Sequence, residues 1–169
     1  MNVELSLDGD GRTTPSQDQV LEMLERAQDV AHDAMDKGHH PFGAVLFAAD
    51  HETVLLEQGN LSALDHAEAV LARAAAGRWP AELLWHCTLV TTVEPCAMCA
   101  ATQYWANIGR VVFALAEVDL LAGSPERAAL DLPCREVFAR GQKPIQVLGP
   151  VPGSADAVLA LHQEFWSAH

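Results

Sequence analysis

Val20, Leu24, Ala27, Ala31 and Ala34 recur at steps of three and four residues, the spacing of one apolar stripe on a helix. Ser16 and Gln19 form a capping-box pair ahead of that stripe, and Pro15 blocks extension backwards, so the pattern predicts an amphipathic helix over 16–36 that stops at Gly38. Two short apolar runs follow, at 43–49 and 53–59. They read as strands, and "DHE" between them fits a hairpin turn, which makes the pair antiparallel. Ala67, Val70, Leu71 and Ala74 return to helical spacing, giving a helix over 66–76. Gly77 and Pro80 break the stretch 77–85, which reads as a connection.

The second half alternates. A strand is expected over 87–93, a helix over 97–107 ending at Gly109, and a strand over 110–115. The stretch 117–141 is mixed, with short helical pieces around "PERAAL" and "CREVFAR"; a fifth strand over 145–149 and a last helix over 154–169 complete the chain. Helical crossovers between strands favour a partly parallel sheet covered on both faces. The polar, glycine-rich "DGDGRTT" makes 1–14 a mobile tail, which leaves one domain over 15–169.

Composition narrows the function. Half of the 169 residues are hydrophobic, so the chain is globular. The net charge of −13 repels phosphate backbones and anionic membranes, which weighs against a nucleic-acid partner. No apolar run approaches the ~20 residues of a membrane span. The N-terminus lacks the basic flank and apolar core of a secretory signal, so a cytoplasmic location is expected. In that compartment the four cysteines point to metal or redox chemistry rather than to disulfides.

Two stretches carry that chemistry. Cys96 and Cys99 in "EPCAMC" stand at C-x-x-C spacing where a strand gives way to a helix. A helix N-terminus stabilises thiolates, and residues three apart lie on one face. The pair alone fits either a metal site or a thioredoxin-like redox couple. The second stretch is "DHAE": His66 opens another helix and Glu68 lies in its first turn. If the two helices begin at one sheet edge, His66, Cys96 and Cys99 make a Cys₂His zinc site with an open position. Glu68 then stands beside the metal as a proton carrier.

With "HAE" at 66–68 and "EPCAMC" at 94–99, supported by "HPFGAV" at 40–45, Asn60 and "YWANIGRVVFA" at 104–114, the chain resembles the cytidine deaminase-like superfamily over roughly 16–148. Within it the motifs look most like guanine, cytosine and tRNA adenosine deaminases. The resemblance implies an α/β fold, a three-layer α-β-α sandwich around a mixed five-stranded sheet. It implies hydrolytic deamination with Zn²⁺, and a homodimer. Carried over by residue, His66, Cys96 and Cys99 bind zinc and Glu68 shuttles protons. Asn60 bonds the base, Phe42 lies beside its ring, and the backbone of Ala67 meets its edge. Pro95 holds the turn before Cys96, and His40 is a candidate for the pocket wall. One departure stands out. Asn60 precedes His66 by only six residues in "NLSALDH", where relatives carry a longer loop.

Charge selects among the substrates. The last helix holds Asp156 and Glu164 but no Lys or Arg, so a small nucleobase-like substrate is favoured over tRNA. Guanine-type bases come first and cytosine second, on motif resemblance. The alternatives are a tRNA adenosine deaminase and a non-catalytic zinc or redox module. Tyr104 and Trp105 read as core or dimer contacts, and Phe165 and Trp166 as packing of the last helix or a cover over the site. His162 reads as a surface or packing residue.

Overall fold

The structure is a computed structural model that describes residues 9–125 and 128–169. Helix α1 spans Gln17–Asp36. Ser16 caps it and the reciprocal Gln19 bond completes the box, while Val20, Met23, Leu24, Ala27, Val30, Ala31 and Ala34 form its buried stripe. Strands β1 (Gly43–Phe47) and β2 (Val54–Gly59) pair antiparallel, Gly43 facing Gly59. Then follow α2 (Ala67–Ala76), α3 (Ala81–Trp85), β3 (Thr88–Val93), α4 (Ala97–Ala106) and β4 (Arg110–Leu115). The chain closes with α5 (Glu117–Gly123), α6 (Cys134–Ala139), β5 (Gln146–Leu148) and α7 (Ala155–Ala168).

The five strands form one mixed sheet in the order β2-β1-β3-β4-β5. β1 runs antiparallel to both β2 and β3, and β3, β4 and β5 are parallel. Every residue of β1, β3 and β4 is buried, so these strands show no polar–apolar alternation, and their polar members, the threonines of β3 and Arg110 of β4, are buried as well. Ala44, Leu46, Leu89, Val111 and Phe113 face α2, α3, α4 and α6. Val45, Phe47, Val90 and Val112 face α1, α5 and α7. The result is the three-layer sandwich expected. At the start of β1, a Cβ on Gly43 would collide with the Ala27 carbonyl, so only glycine lets α1 lie this close to the strand.

Several local expectations change. The connection at 77–85 contains the short helix α3. Helix α4 ends at Asn107, which takes the left-handed conformation (φ 65°) and donates from its amide to the Ala81 carbonyl at 2.8 Å. The tail read over 1–14 is anchored from Arg12 onward. The Arg12 guanidinium is buried, donates to the carbonyls of Gly109 and Pro144, and lies 4.4 Å over the Trp85 ring. Thr13 donates to the Ala49 carbonyl at 2.6 Å and accepts Arg110 on its own carbonyl at 2.6 Å. A polar, glycine-rich composition conceals such anchoring, because the partners are backbone carbonyls 36 to 132 residues away in sequence. Residues 1–8, and 126–127 of "PERAAL", lie outside the described residues. Ala128–Leu130 of that piece is not helical.

Candidate active site

The sequence places helices after β2 and β3, and those strands are not neighbours, because β1 lies between them. Since β1 is antiparallel to each, β2 and β3 still point the same way. Helices α2 and α4 therefore begin at one edge of the sheet and pack against each other. Each opens with a future donor at its cap. His66 (φ −67°, ψ 149°) caps α2 and Cys96 (φ −63°, ψ 170°) caps α4, both in extended conformation and neither bonding its own helix through its side chain. Cys99 follows one turn into α4. His66 Nδ1 lies 3.5 Å from both sulfurs, and the three donor atoms fall within 4.8 Å of one another.

The short loop before α2 orients the imidazole. His66 Nε2 donates to the Ala63 carbonyl at 3.0 Å, which directs Nδ1 at the sulfurs. The loop holds itself in that shape: the Ser62 hydroxyl accepts the N–H groups of Leu64 and Asp65, and Leu61 N–H bonds the Asp65 carbonyl at 3.1 Å. Hydrogen bonds from the Cys99 thiol and then from His66 hold Cys96 down at about 4. The same shared proton, with burial, pushes Cys99 up, and Cys96 draws His66 up. One thiolate thus forms readily while the second needs a cation in place of the shared protons. One imidazole and two sulfurs suit zinc with a fourth position left open, and two thiolates balance its charge.

Glu68 is buried in the first turn of α2. Its Oε1 accepts the Thr91 hydroxyl at 2.8 Å, and its Oε2 lies 3.6 Å from Cys99 Sγ. Burial pushes its carboxyl up; its own N–H and Thr91 pull the other way. It is therefore beside the donor set without belonging to it.

The remaining expected residues lie around this edge. Ala67 is the first residue of α2 and Pro95 is buried just before Cys96. Asn60 is buried at the end of β2. Its N–H bonds the Phe42 carbonyl at 3.1 Å, but its amide donates to the Ser62 carbonyl at 3.3 Å, back into its own loop. Asn60 also lines a cleft of about 250 Å³ with Asp33, Lys37 and Glu57, and that cleft touches none of the zinc-site residues. His40 is exposed and lies 6.4 Å from Phe42 and 4.5 Å from Phe165, between ring centroids.

Four residues emerge only in three dimensions. Thr91 is one. Glu94, two residues before Cys96, accepts the N–H of Glu117 at 3.1 Å and of Cys134 at 3.0 Å, so one buried carboxylate joins the starts of α5 and α6 to the ligand loop. Its place in "EPC" was the available signal. Glu117 is half-buried beside it, and burial, with the charges of Cys96, Glu94 and Glu68, raises it to about 7. His162 on α7 is fully buried, with its ring 4.7 Å from Phe42 and 5.8 Å from Trp166. The last helix thus reaches the site edge with aromatic side chains. Trp105, read as core or contact, is 80 % exposed.

The comparisons agree with this geometry. A family model described as "Cytidine and deoxycytidylate deaminase zinc-binding region" matches residues 17–115. A probable cytosine deaminase of Schizosaccharomyces pombe is 30% identical over 162 residues, covering 91% of this chain and 96% of that protein. A guanine deaminase of Bacillus subtilis is 34% identical over 57% of this chain and 64% of its own length. The solved guanine deaminase of Nitrosomonas europaea shares the fold at a TM-score of 0.68 and 21% identity, over 99% of this chain and 98% of that one. Matched across most of its core by the family and along nearly its whole length by a relative, the chain belongs to the cytidine and deoxycytidylate deaminase zinc-binding family, hydrolases of C–N bonds in cyclic amidines.

Proposed function

We propose that this protein removes an exocyclic amino group from a small free nucleobase or related heterocycle, guanine-type first and cytosine second, releasing ammonia. The observation that carries the reading is the juxtaposition of Glu68 Oε2 with a convergent His66, Cys96 and Cys99 set at one sheet edge. His66, Cys96 and Cys99 would hold zinc, which would supply Lewis-acid activation of water near neutral pH. Glu68 Oε2 takes a proton from the attacking water and delivers it to the ring nitrogen beside the carbon under attack. It then moves the hydroxyl proton to the departing amine, so that a carbonyl and ammonia result. Phe42 packs beside the ring, the Ala67 N–H and Asn60 meet its edge, His40 lines the mouth, and Pro95 fixes the turn that carries Cys96.

A small substrate fits the surroundings. Helix α7 lays His162 and Phe165 against Phe42 and His40, covering that side with rings and with no Lys or Arg to meet a phosphate backbone. The relatives deaminating guanine and cytosine support the substrate class. A homodimer is part of the proposal on the family resemblance, with the exposed Trp105 on α4 as its candidate contact. The test is ammonia release by zinc-loaded protein across guanine, cytosine, adenine, their nucleosides, pterins and triazines. Turnover confined to free bases is expected. Zinc binding without ammonia from any compound would leave a non-catalytic module.

A further inference from the structure

Thr91 occupies the centre of the sheet. Its backbone pairs with Ala44 on β1 and Phe113 on β4, and its side chain is completely buried on the face that carries α2 and α4. A strand at this position is served as well by valine, whose shape is the same. A hydroxyl there must find a partner to be tolerated. Thr91 Oγ1 lies 2.8 Å from Glu68 Oε1 and 3.1 Å from the Val93 carbonyl. It has one hydrogen for two acceptors, and the shorter contact is to the carboxylate. The neighbouring Thr92 turns to the opposite face and accepts the Gly43 N–H at 3.3 Å, so the two adjacent hydroxyls do separate jobs.

The bond joins β3 to α2 and leaves the two oxygens of Glu68 unequal. Oε1 is occupied by Thr91, and Oε2 is the oxygen facing Cys99 Sγ at 3.6 Å. A glutamate has three rotatable bonds, and without a tether its oxygens exchange places and the carboxylate swings away from the donor set. We infer that Thr91 is a positioning residue, which by holding Oε1 assigns Oε2 as the proton-carrying oxygen of Glu68. This inference rests on the deaminase reading above for its kinetic consequence, though the tether itself does not.

The test uses full-length, zinc-loaded Thr91→Val and Thr91→Ser proteins. Three quantities are read: zinc per chain, kcat and KM separately, and the infrared carboxylate stretch of Glu68, assigned by its disappearance in Glu68→Gln. Loss of one hydrogen bond to an ionised group predicts that Thr91→Val lowers kcat about ten- to hundredfold with KM and zinc content unchanged. The Glu68 band shifts in Thr91→Val, and Thr91→Ser restores both the band and kcat to within about threefold of the parent. The inference is overturned if Thr91→Val keeps its kcat, if its kcat, KM and zinc are lost together, if Thr91→Ser fails as badly as Thr91→Val, or if the band does not move. The band needs no turnover. A parent protein that released no ammonia would refute the deaminase reading, and the band would still decide whether Thr91 holds Oε1.

Discussion

The imidazole of His162 is 1% exposed, packed between Phe42 and Trp166, and its Nε2 has no hydrogen-bond partner among the described residues. Burial, helped by the charge of His40, pushes its pKa from 6.5 down to about 4. Between those values the unfolded chain binds a proton that the folded chain refuses, so stability rises with pH across the window and falls on acidification. Above about 6.5 the contribution is intact. At 1.36 kcal/mol per unit, the gap from 6.5 to about 4 corresponds to about 3 kcal/mol, of which about 2 kcal/mol is lost between pH 7 and pH 5. His162→Leu conserves volume approximately and removes the titration. Urea unfolding of metal-free parent and variant at both pH values isolates the term, since other groups titrate alike in both. With a typical m-value, the parent's midpoint falls relative to the variant's by about 1 M. Parallel loss in the two proteins, or a gap under about 0.5 kcal/mol, would refute the claim that His162 is buried neutral against Phe42. The consequence reaches the site, because α7 is the element that covers Phe42.

Glu68→Gln keeps the Thr91 contact and the packing but cannot accept a proton, so zinc content should hold while turnover drops by about 10²–10⁴-fold; retained turnover in an ammonia assay would exclude Glu68 as the shuttle. Cys99→Ser breaks a set that needs all three donors, and metal analysis after dialysis should find little zinc, with activity lost in proportion. Chelation of the parent should give the same loss, reversed by added zinc. If the proposed homodimer forms through the exposed face of α4, Trp105→Glu places a charge in that contact and the mass read by sedimentation should fall from dimer to monomer; an unchanged mass would refute the contact.

Much of the fold was legible because it rests on local rules. Helical periodicity located α1 and α7, two short apolar runs around a turn located the hairpin strands, and the Ser16–Gln19 box fell where the pattern placed it. What misled was composition without context. The glycines of "DGDG" suggested a loose end, yet Arg12 is buried against carbonyls that only the assembled sheet brings near. The connection at 77–85 looked too broken for a helix, but one turn and a half fits between Pro80 and His86.

The three side chains that converge, His66, Cys96 and Cys99, could be named from the chain alone, because a metal site demands particular atoms and "HAE" with "PCxxC" states them by residue type. Which oxygen of Glu68 faces Cys99, which nitrogen of His66 faces the sulfurs, and why Glu94 precedes Pro95 could not. Each depends on a partner from another element: Thr91 on β3, Ala63 in the preceding loop, and the starts of α5 and α6. Donor identity is a property of residue type and survives in a linear string. Orientation is set by hydrogen bonds between segments brought together by packing, and it exists only once β1 has aligned β2 with β3 and two helix ends meet at one edge.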